Sequence, residues 1–340
     1  MNASFERKEL IFKKPCVTSR DVFTTKTSWY IKVWDEQTPQ IFGMGEVAVI
    51  KGLSIDDCTN IEEKISLCCN NIDFFYSHKN LQSLFLNYPS ICFALEMAFL
   101  DLKNGGKQIL FASDFTDGKI GIPINGLIWI GKPAEMKIAI KKKLDSGFRC
   151  LKLKIGNANF NDVYEILKQL RKEFSPSQLE IRVDANGDFT SNEVPFFLEK
   201  LSRIKVHSIE QPIKQNQWEQ MAKLCKNSPI PIALDEELIG INQKEQKKEL
   251  LSFICPHYIV LKPSLIGGFK ASQQWIDIAE QQNCKWWITS ALESNVGLNA
   301  IAQWTATMNV DLAQGLGTGQ LFENNTETRL EINNGYMFYR

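Results

Sequence analysis

The chain has 340 residues, more than one average domain, and suits an eight-stranded α/β barrel of roughly 250 residues with a companion of about 100. Its 39 basic and 39 acidic residues cancel, and no basic run is interleaved with aromatics; nucleic acid and membrane partners are excluded, leaving a small molecule. Nine scattered cysteines without a C-x-x-C pair, and no apolar run of signal-peptide or membrane-span character, lead us to expect free thiols and a cytoplasmic protein.

In chain order, residues 5–53 carry short β-prone runs, at 21–33 and 41–50, broken by turn signals; they predict an antiparallel meander. From 56 to 103 the apolar period becomes helical, clearest over 88–102. Strands followed by helices predict a separate α+β unit over 1–105.

After the break at Asn104-Gly105-Gly106 strand and helix alternate about every 25 residues. Strands are expected near 127–130, 150–155, 180–184, 207–211, 232–235, 258–262, 285–290 and 312–316, with amphipathic helices such as 133–144, 162–172, 193–201 and 271–281. Each parallel connection needs a crossover of about a dozen residues, and this spacing supplies it. The fold class is therefore α/β, a modified (β/α)8 TIM barrel over 106–317, with an N-terminal α+β capping domain and a C-terminal segment, 318–340, that returns to the cap. An open doubly wound sheet is the competitor, but Ile130-Gly131-Lys132-Pro133 is not the Gly-rich phosphate loop it would bring.

The candidate chemistry sits at the strand ends. One apolar strand after another finishes in an ionisable residue: Lys152 and Lys154, Asp184, Glu210, Asp235, then Lys262. In a parallel barrel these ends share one mouth. Lys152 and Lys154 are two apart and point inward together, while Leu151, Leu153 and Ile155 face the helices. Three converging carboxylates repel unless a cation neutralises them, and an all-oxygen set suits Mg2+.

Taken singly, each residue has an ordinary explanation. An acid at a strand end caps the next helix, Lys-x-Lys marks a solvated edge, and a lysine before Pro263 snorkels. Six such accidents at the same place on successive strands are hard to assemble. His78, His207 and His257 have no catalytic partners in sequence and read as structural; Trp286-Trp287 reads as barrel packing.

The order Lys152-x-Lys154, Asp184, Glu210, Asp235, Lys262, preceded by Gly43-Met44-Gly45-Glu46, resembles the enolase superfamily over nearly the whole chain. Within its lysine-pair, muconate-lactonizing-enzyme-like subgroup the chain is most similar to the o-succinylbenzoate synthases. Longer runs carry this likeness: Thr18-Ser19-Arg20 and the stretches 209–214, 232–238, 261–264, 286–298 and 315–320. Asp21 departs from it, standing where that family is expected to have glycine.

The resemblance implies a carbon–oxygen lyase of menaquinone biosynthesis. It would catalyse magnesium-dependent syn-dehydration of 2-succinyl-6-hydroxy-2,4-cyclohexadiene-1-carboxylate to o-succinylbenzoate through a metal-stabilised enediolate, with Mn2+ a possible substitute for Mg2+. Asp184, Glu210 and Asp235 are the implied ligands and Lys154 the base. Lys152 is the electrostatic partner of the carboxylate, and Lys262 faces the ring from the opposite wall. Ser290, Ser294 and Arg20 are candidate substrate contacts, Asn186 and Glu236 candidates for orienting the ligands, and the cap loops near Arg20 and residues 43–51 candidates for closing the mouth. Alternatives are an N-acylamino-acid racemase, a dipeptide epimerase, and a non-catalytic binding protein. Against the epimerase, 317–319 read Gly-Thr-Gly where a dipeptide's ammonium would want an acid.

Overall fold

The computed structural model describes residues 1–17, 22–308 and 310–340. The chain opens with three antiparallel strands, β1 (Asn2–Val17), β2 (Val22–Trp34) and β3 (Phe42–Ala48), in the order β1-β2-β3. Helices α1 (Ile61–Asn70), α2 (Ile72–Ser77), α3 (Leu81–Leu84) and α4 (Pro89–Lys103) follow. Trp29, Ile31, Val33 and Val47 bury one face of this sheet together with the apolar α4. Gly43 and Gly45 make that approach possible, because a Cβ at either would run into the carbonyls of Ala98 or Ala94. Alternation along β2 and β3 was legible in sequence; the full 16 residues of β1 were not, since the strand is exposed along much of its length.

A short strand, β4 (Ile122–Pro123), precedes the parallel strands β5 (Gly126–Ile128), β6 (Cys150–Lys154), β7 (Glu180–Asp184), β8 (Ser208–Glu210), β9 (Ile232–Leu234), β10 (Tyr258–Leu261) and β11 (Lys285–Ile288). These last seven pair in sequence order in one sheet. Between or after them run α5 (Pro133–Asp145), α6 (Phe160–Glu173), α7 (Val194–Arg203), α8 (Trp218–Asn227), α9 (Lys244–Ile254), α10 (Pro263–Ile266), α11 (Gly268–Gln281) and α12 (Asn295–Ala306). In α6, Asn159 caps the N-terminus by accepting from the backbone N–H groups of Asn161 and Asp162. Phe160, Val163, Ile166, Leu167 and Leu170 then bury one stripe, each aliphatic side chain contributing about 1.5–3 kcal/mol.

The eighth strand expected at 312–316 is not a strand. Gln314 and Gly315 form isolated parallel bridges to Ile124 and Thr289, and four backbone bonds close the ring: Gln314 N to Pro123 O at 2.8 Å, Asn125 N to Gln314 O at 2.9 Å, Gly315 N to Ile288 O at 2.8 Å and Ser290 N to Gly315 O at 3.1 Å. The buried Gln314 side chain adds a rung, its Oε1 accepting from Ile288 N at 2.7 Å. A stretch held on both sides by single bridges lacks the paired length a strand needs.

Beyond the barrel, Lys13 N donates to Leu321 O and Glu323 N to Ile11 O, both at 2.8 Å, and Phe12 packs on Phe322. The hairpin β12 (Leu330–Asn333) and β13 (Tyr336–Tyr339) then pairs with β4. Its Asn334-Gly335 turn has φ of 49° and 76°, the left-handed pair a two-residue hairpin requires.

Two carboxylates, Glu46 buried and Glu96 half-buried, tie the first helices and strands to the barrel. Glu46 accepts from Ser294 N (2.9 Å), Ser294 Oγ (2.6 Å) and Gly297 N (3.0 Å) at the start of α12, and from Ser28 Oγ (2.7 Å). Glu96, on α4, accepts from Phe269 N at 2.6 Å at the start of α11. Both exploit the unpaired N–H groups of a helix N-terminus.

Candidate active site

Parallel register fixes the first half of the site. Lys154 pairs with Asp184 across β6 and β7, and Asp184 with Glu210 across β7 and β8, so the three side chains stand in one row. Glu210 pairs with Ala233, which places Asp235 two residues further up β9, the stagger that tilted barrel strands impose. Leu151, Leu153 and Ile155 are fully buried among the core residues, so period two sends Lys152 and Lys154 inward.

Asp184, Glu210 and Asp235 each bring one carboxylate oxygen within 4.8 Å of the others, and all three residues are buried. Lys152 Nζ lies 2.9 Å from Asp184 and 2.6 Å from Glu210. Lys154 Nζ lies 2.6 Å from Asp184 Oδ2 and 2.9 Å from Asn186 Oδ1, and Lys262 donates to Asp235. The six charged side chains singled out in sequence are thus assembled in one cluster. Asn186 links it outward, donating from Nδ2 to Glu236 Oε1 at 3.1 Å while its backbone N–H bonds Asp184 Oδ1 at 2.9 Å.

The electrostatics follow from crowding. Burial opposes the Lys152 ammonium, but Asp184, Glu210 and Asp235 outweigh it and hold its pKa above the usual lysine value. Burial likewise opposes Lys262, which Asp235, Glu236 and Glu210 keep raised. Burial and the adjacent Asp184 charge push the Glu210 carboxyl well up, whereas Lys152 and Lys154 hold Asp184 well down against its own burial. Like charges that cannot all ionise comfortably are the signature of a cation site. Three hard oxygen donors, with no nitrogen or sulfur among them, fit Mg2+.

The cluster floors a cavity whose empty space, counted out to its open mouth, is about 850 Å³. Lys152, Lys154, Asn186, Glu236 and Lys262 form its polar base. Asn125, Leu127 and Trp129 from the first barrel strand, Thr289 to Leu292 beyond β11, and Gly315, Gly317 and Thr318 form its sides. Phe23, Ile50, Lys51 and Leu53 lie over it from the N-terminal region. Apart from Ile50 and Lys51, which end the 43–51 stretch, none of these overlying residues was identified in sequence, because nothing local records that a loop 100 residues away covers a strand end. Trp129 could have been found by the rule that strand-end residues face the mouth.

Ser290 lines the cavity, its Oγ 2.6 Å from Thr318 Oγ1. Ser294 does not. It is fully buried, caps α12 by accepting from Val296 N, and donates to Glu46, so its expected substrate contact is withdrawn in favour of a structural cap. Arg20 and the Thr18-Ser19-Arg20 motif lie outside the described residues. All nine cysteines are unpaired. His207 sits at the opposite end of β8 from Glu210, 2.9 Å from Ser208 Oγ, and His257 Nδ1 accepts from Ile232 N. No described helix is long and apolar enough to cross a membrane.

Residues 135–339 match the family described as enolase C-terminal domain-like. The chain is 46% identical to an o-succinylbenzoate synthase of Desulfotalea psychrophila, over 99% of this chain and 98% of that protein. The crystal structure of MenC from the same organism superposes with a TM-score of 0.87 at 43% identity, covering 99% of both chains. An L-Ala-D/L-Glu epimerase of Francisella tularensis subsp. novicida is more distant, 28% identical over 68% of this chain and 66% of its own length.

Proposed function

The chain belongs to the enolase superfamily and, within it, to the o-succinylbenzoate synthase family, and on that footing we propose that its mouth dehydrates 2-succinyl-6-hydroxy-2,4-cyclohexadiene-1-carboxylate to o-succinylbenzoate in menaquinone biosynthesis. The observation that carries this reading is three buried carboxylates converging within 4.8 Å beneath a cavity with lysines from β6 on one side and the end of β10 on the other. The chain is an enzyme, a lyase.

Asp184, Glu210 and Asp235 would hold Mg2+, or Mn2+ in its place. Bound there, the ion supplies a Lewis acid for the negative charge that develops on the ring carboxylate. Lys154 takes the proton from the ring carbon that bears this carboxylate, and the ammonium so formed gives a proton to the departing hydroxyl on the same face. One C–H and one C–O bond break, a ring C=C bond forms, and water leaves. Lys152, locked between Asp184 and Glu210, keeps positive potential beside the carboxylate throughout. Lys262 faces the ring from the other wall and favours its spread of negative charge. Asn186 orients Lys154 and Asp184 together. Ser290, which lines the cavity, would donate to the succinyl carbonyl. The free thiols suit a cytoplasmic enzyme.

Absorbance-monitored aromatisation of the cyclohexadiene, with and without Mg2+, tests the reading. Magnesium-dependent product formation supports it; an inert wild-type protein with bound metal overturns it. Lysines on both walls also favour a second activity, two-base racemisation of N-acylamino acids, which deuterium exchange at the α-carbon would reveal.

A further inference from the structure

Behind the active-site cavity lies a second one, bounded by Trp29, Lys26 and the 57–62 segment. Phe23, Ile50, Leu292 and Lys51 line both cavities and make up their shared border, the neck. Three of these four residues are apolar and the fourth is cationic. Among the described residues no carboxylate comes within 4 Å of the Lys51 ammonium, whereas the other cations of the second cavity are committed. Lys26 donates to Ser28 Oγ and lies 4.0 Å from Glu46, and Arg7 faces Glu62 at 3.7 Å.

Lys51 is also held in place by its turn. Ile50 N bonds Ser54 Oγ at 2.8 Å, Ser54 N bonds Ile50 O at 3.0 Å, and Gly52 N bonds Asp57 Oδ2 at 2.8 Å, with Gly52 at a φ of +72° that glycine adopts without strain. The Asp57 carboxylate is thus engaged with the turn's own backbone, as Asp56 is with Ser90 and Glu46 with Ser294. A cation on a fixed turn needs less ordering on binding than one on a free loop.

We infer that Lys51 is a specificity-determining residue that captures a second carboxylate of the substrate, at the far end of a short apolar tail lying in the neck. The inference rests on the proposed function and deepens it. A succinyl chain fits the neck by chemistry: its two methylenes meet Phe23, Ile50 and Leu292, and its terminal carboxylate meets Lys51. The ring carboxylate stays with the acidic cluster below. Lys51 touches no reacting atom, so its contribution falls on binding and on the choice between dicarboxylate and monocarboxylate substrates.

The test uses the full chain loaded with Mg2+, calorimetric binding of o-succinylbenzoate and of its analogue with the tail carboxylate converted to a carboxamide, and steady-state turnover of the cyclohexadiene. Lys51→Met should weaken o-succinylbenzoate and raise KM by roughly tenfold or more, with kcat within about twofold, as expected for loss of a charge-assisted contact. The carboxamide should bind wild type and Lys51→Met alike, and Lys51→Arg should restore most of the dicarboxylate affinity. Unchanged affinity in Lys51→Met, or equal losses for the acid and the amide, overturns the role of Lys51 while leaving the dehydratase reading intact. A wild-type protein that neither binds o-succinylbenzoate nor turns over the cyclohexadiene overturns both.

Discussion

The same barrel strands carry two clusters of ionisable groups, one at each end. At the N-terminal end Arg182 Nε donates to Glu180 at 2.6 Å and Nη1 to Ala313 O at 2.9 Å, while the guanidinium stacks 4.4 Å from the centre of the Trp287 ring. Cys150 and His207 complete that group around Glu180. Each charge there has its own partner, and Arg182 holds Glu180 below the usual carboxylate range against the push of burial. At the C-terminal end Asp184, Glu210 and Asp235 share partners and repel one another, so that Glu210 is driven up while Asp184 is driven down. Burial of charge is common to both ends; what distinguishes the functional one is convergence of like charge that the protein leaves for a ligand to settle.

The sharpest way to break this contrast is at Lys154. Lys154→Ala should lower turnover on the order of 10³-fold or more, as for loss of a general base, while Lys152 still pairs with Asp184 and the fold persists. A variant with activity within tenfold of wild type would remove Lys154 from the chemistry. Next in size is the response to metal. Mg2+ at about 100 times its dissociation constant should raise stability by ~2.7 kcal/mol through mass action, and Glu210→Gln should abolish the rise; calorimetry in Mg2+ and in EDTA reads both.

At the other end, Arg182→Met should cost on the order of 2 kcal/mol in denaturant unfolding, since it strands the partly exposed Glu180 without its cation. Activity per folded molecule should stay within a few-fold. If Arg182→Met instead erased metal binding, the two ends would be one functional unit and the comparison would fail.

The smallest effect isolates burial alone. Among the described residues Glu96 has no cation within hydrogen-bonding reach, only the backbone N–H donors of Phe269 and Lys270, and burial pushes its carboxyl up to about 7. Because the folded pKa lies above the unfolded value, the native state binds more protons between roughly pH 4.5 and 7, and stability should fall as pH rises through that window. Glu96→Gln should flatten that slope, as urea titrations at pH 5 and 8 would show; an unchanged slope would assign it elsewhere.

Much of the mouth was legible in sequence because its rule is local. Period two and a charged residue at each strand end suffice to place Lys152, Lys154, Asp184, Glu210, Asp235 and Lys262. What escaped was non-local or chemically quiet. Helices α8 and α9 are short and polar, and sequence reading passed over them. The eighth barrel position, Leu312 to Leu316, makes one isolated bridge on each side and does not extend into a strand. Ser294 looked like a donor to substrate because its partner, Glu46, lies 248 residues earlier. The Asn334-Gly335 turn was a readable hairpin signal that went unused. Lys51 was seen only as the end of a cap loop, since its standing between two cavities exists only in three dimensions.

The closure at Gln314 and Gly315 has a mechanical consequence. A ring of hydrogen bonds yields where its paired length is shortest, and here one seam is held by four backbone bonds and the side chains of Gln314, Thr289 and Ser290. Under hydrogen exchange or an applied force the amides of Gln314, Gly315 and Ser290 should open before those of β6 and β7. Because Gly315, Gly317 and Thr318 also wall the cavity, the seam is where breathing of the scaffold and access to the chemistry meet, and where a new chain terminus would do most harm.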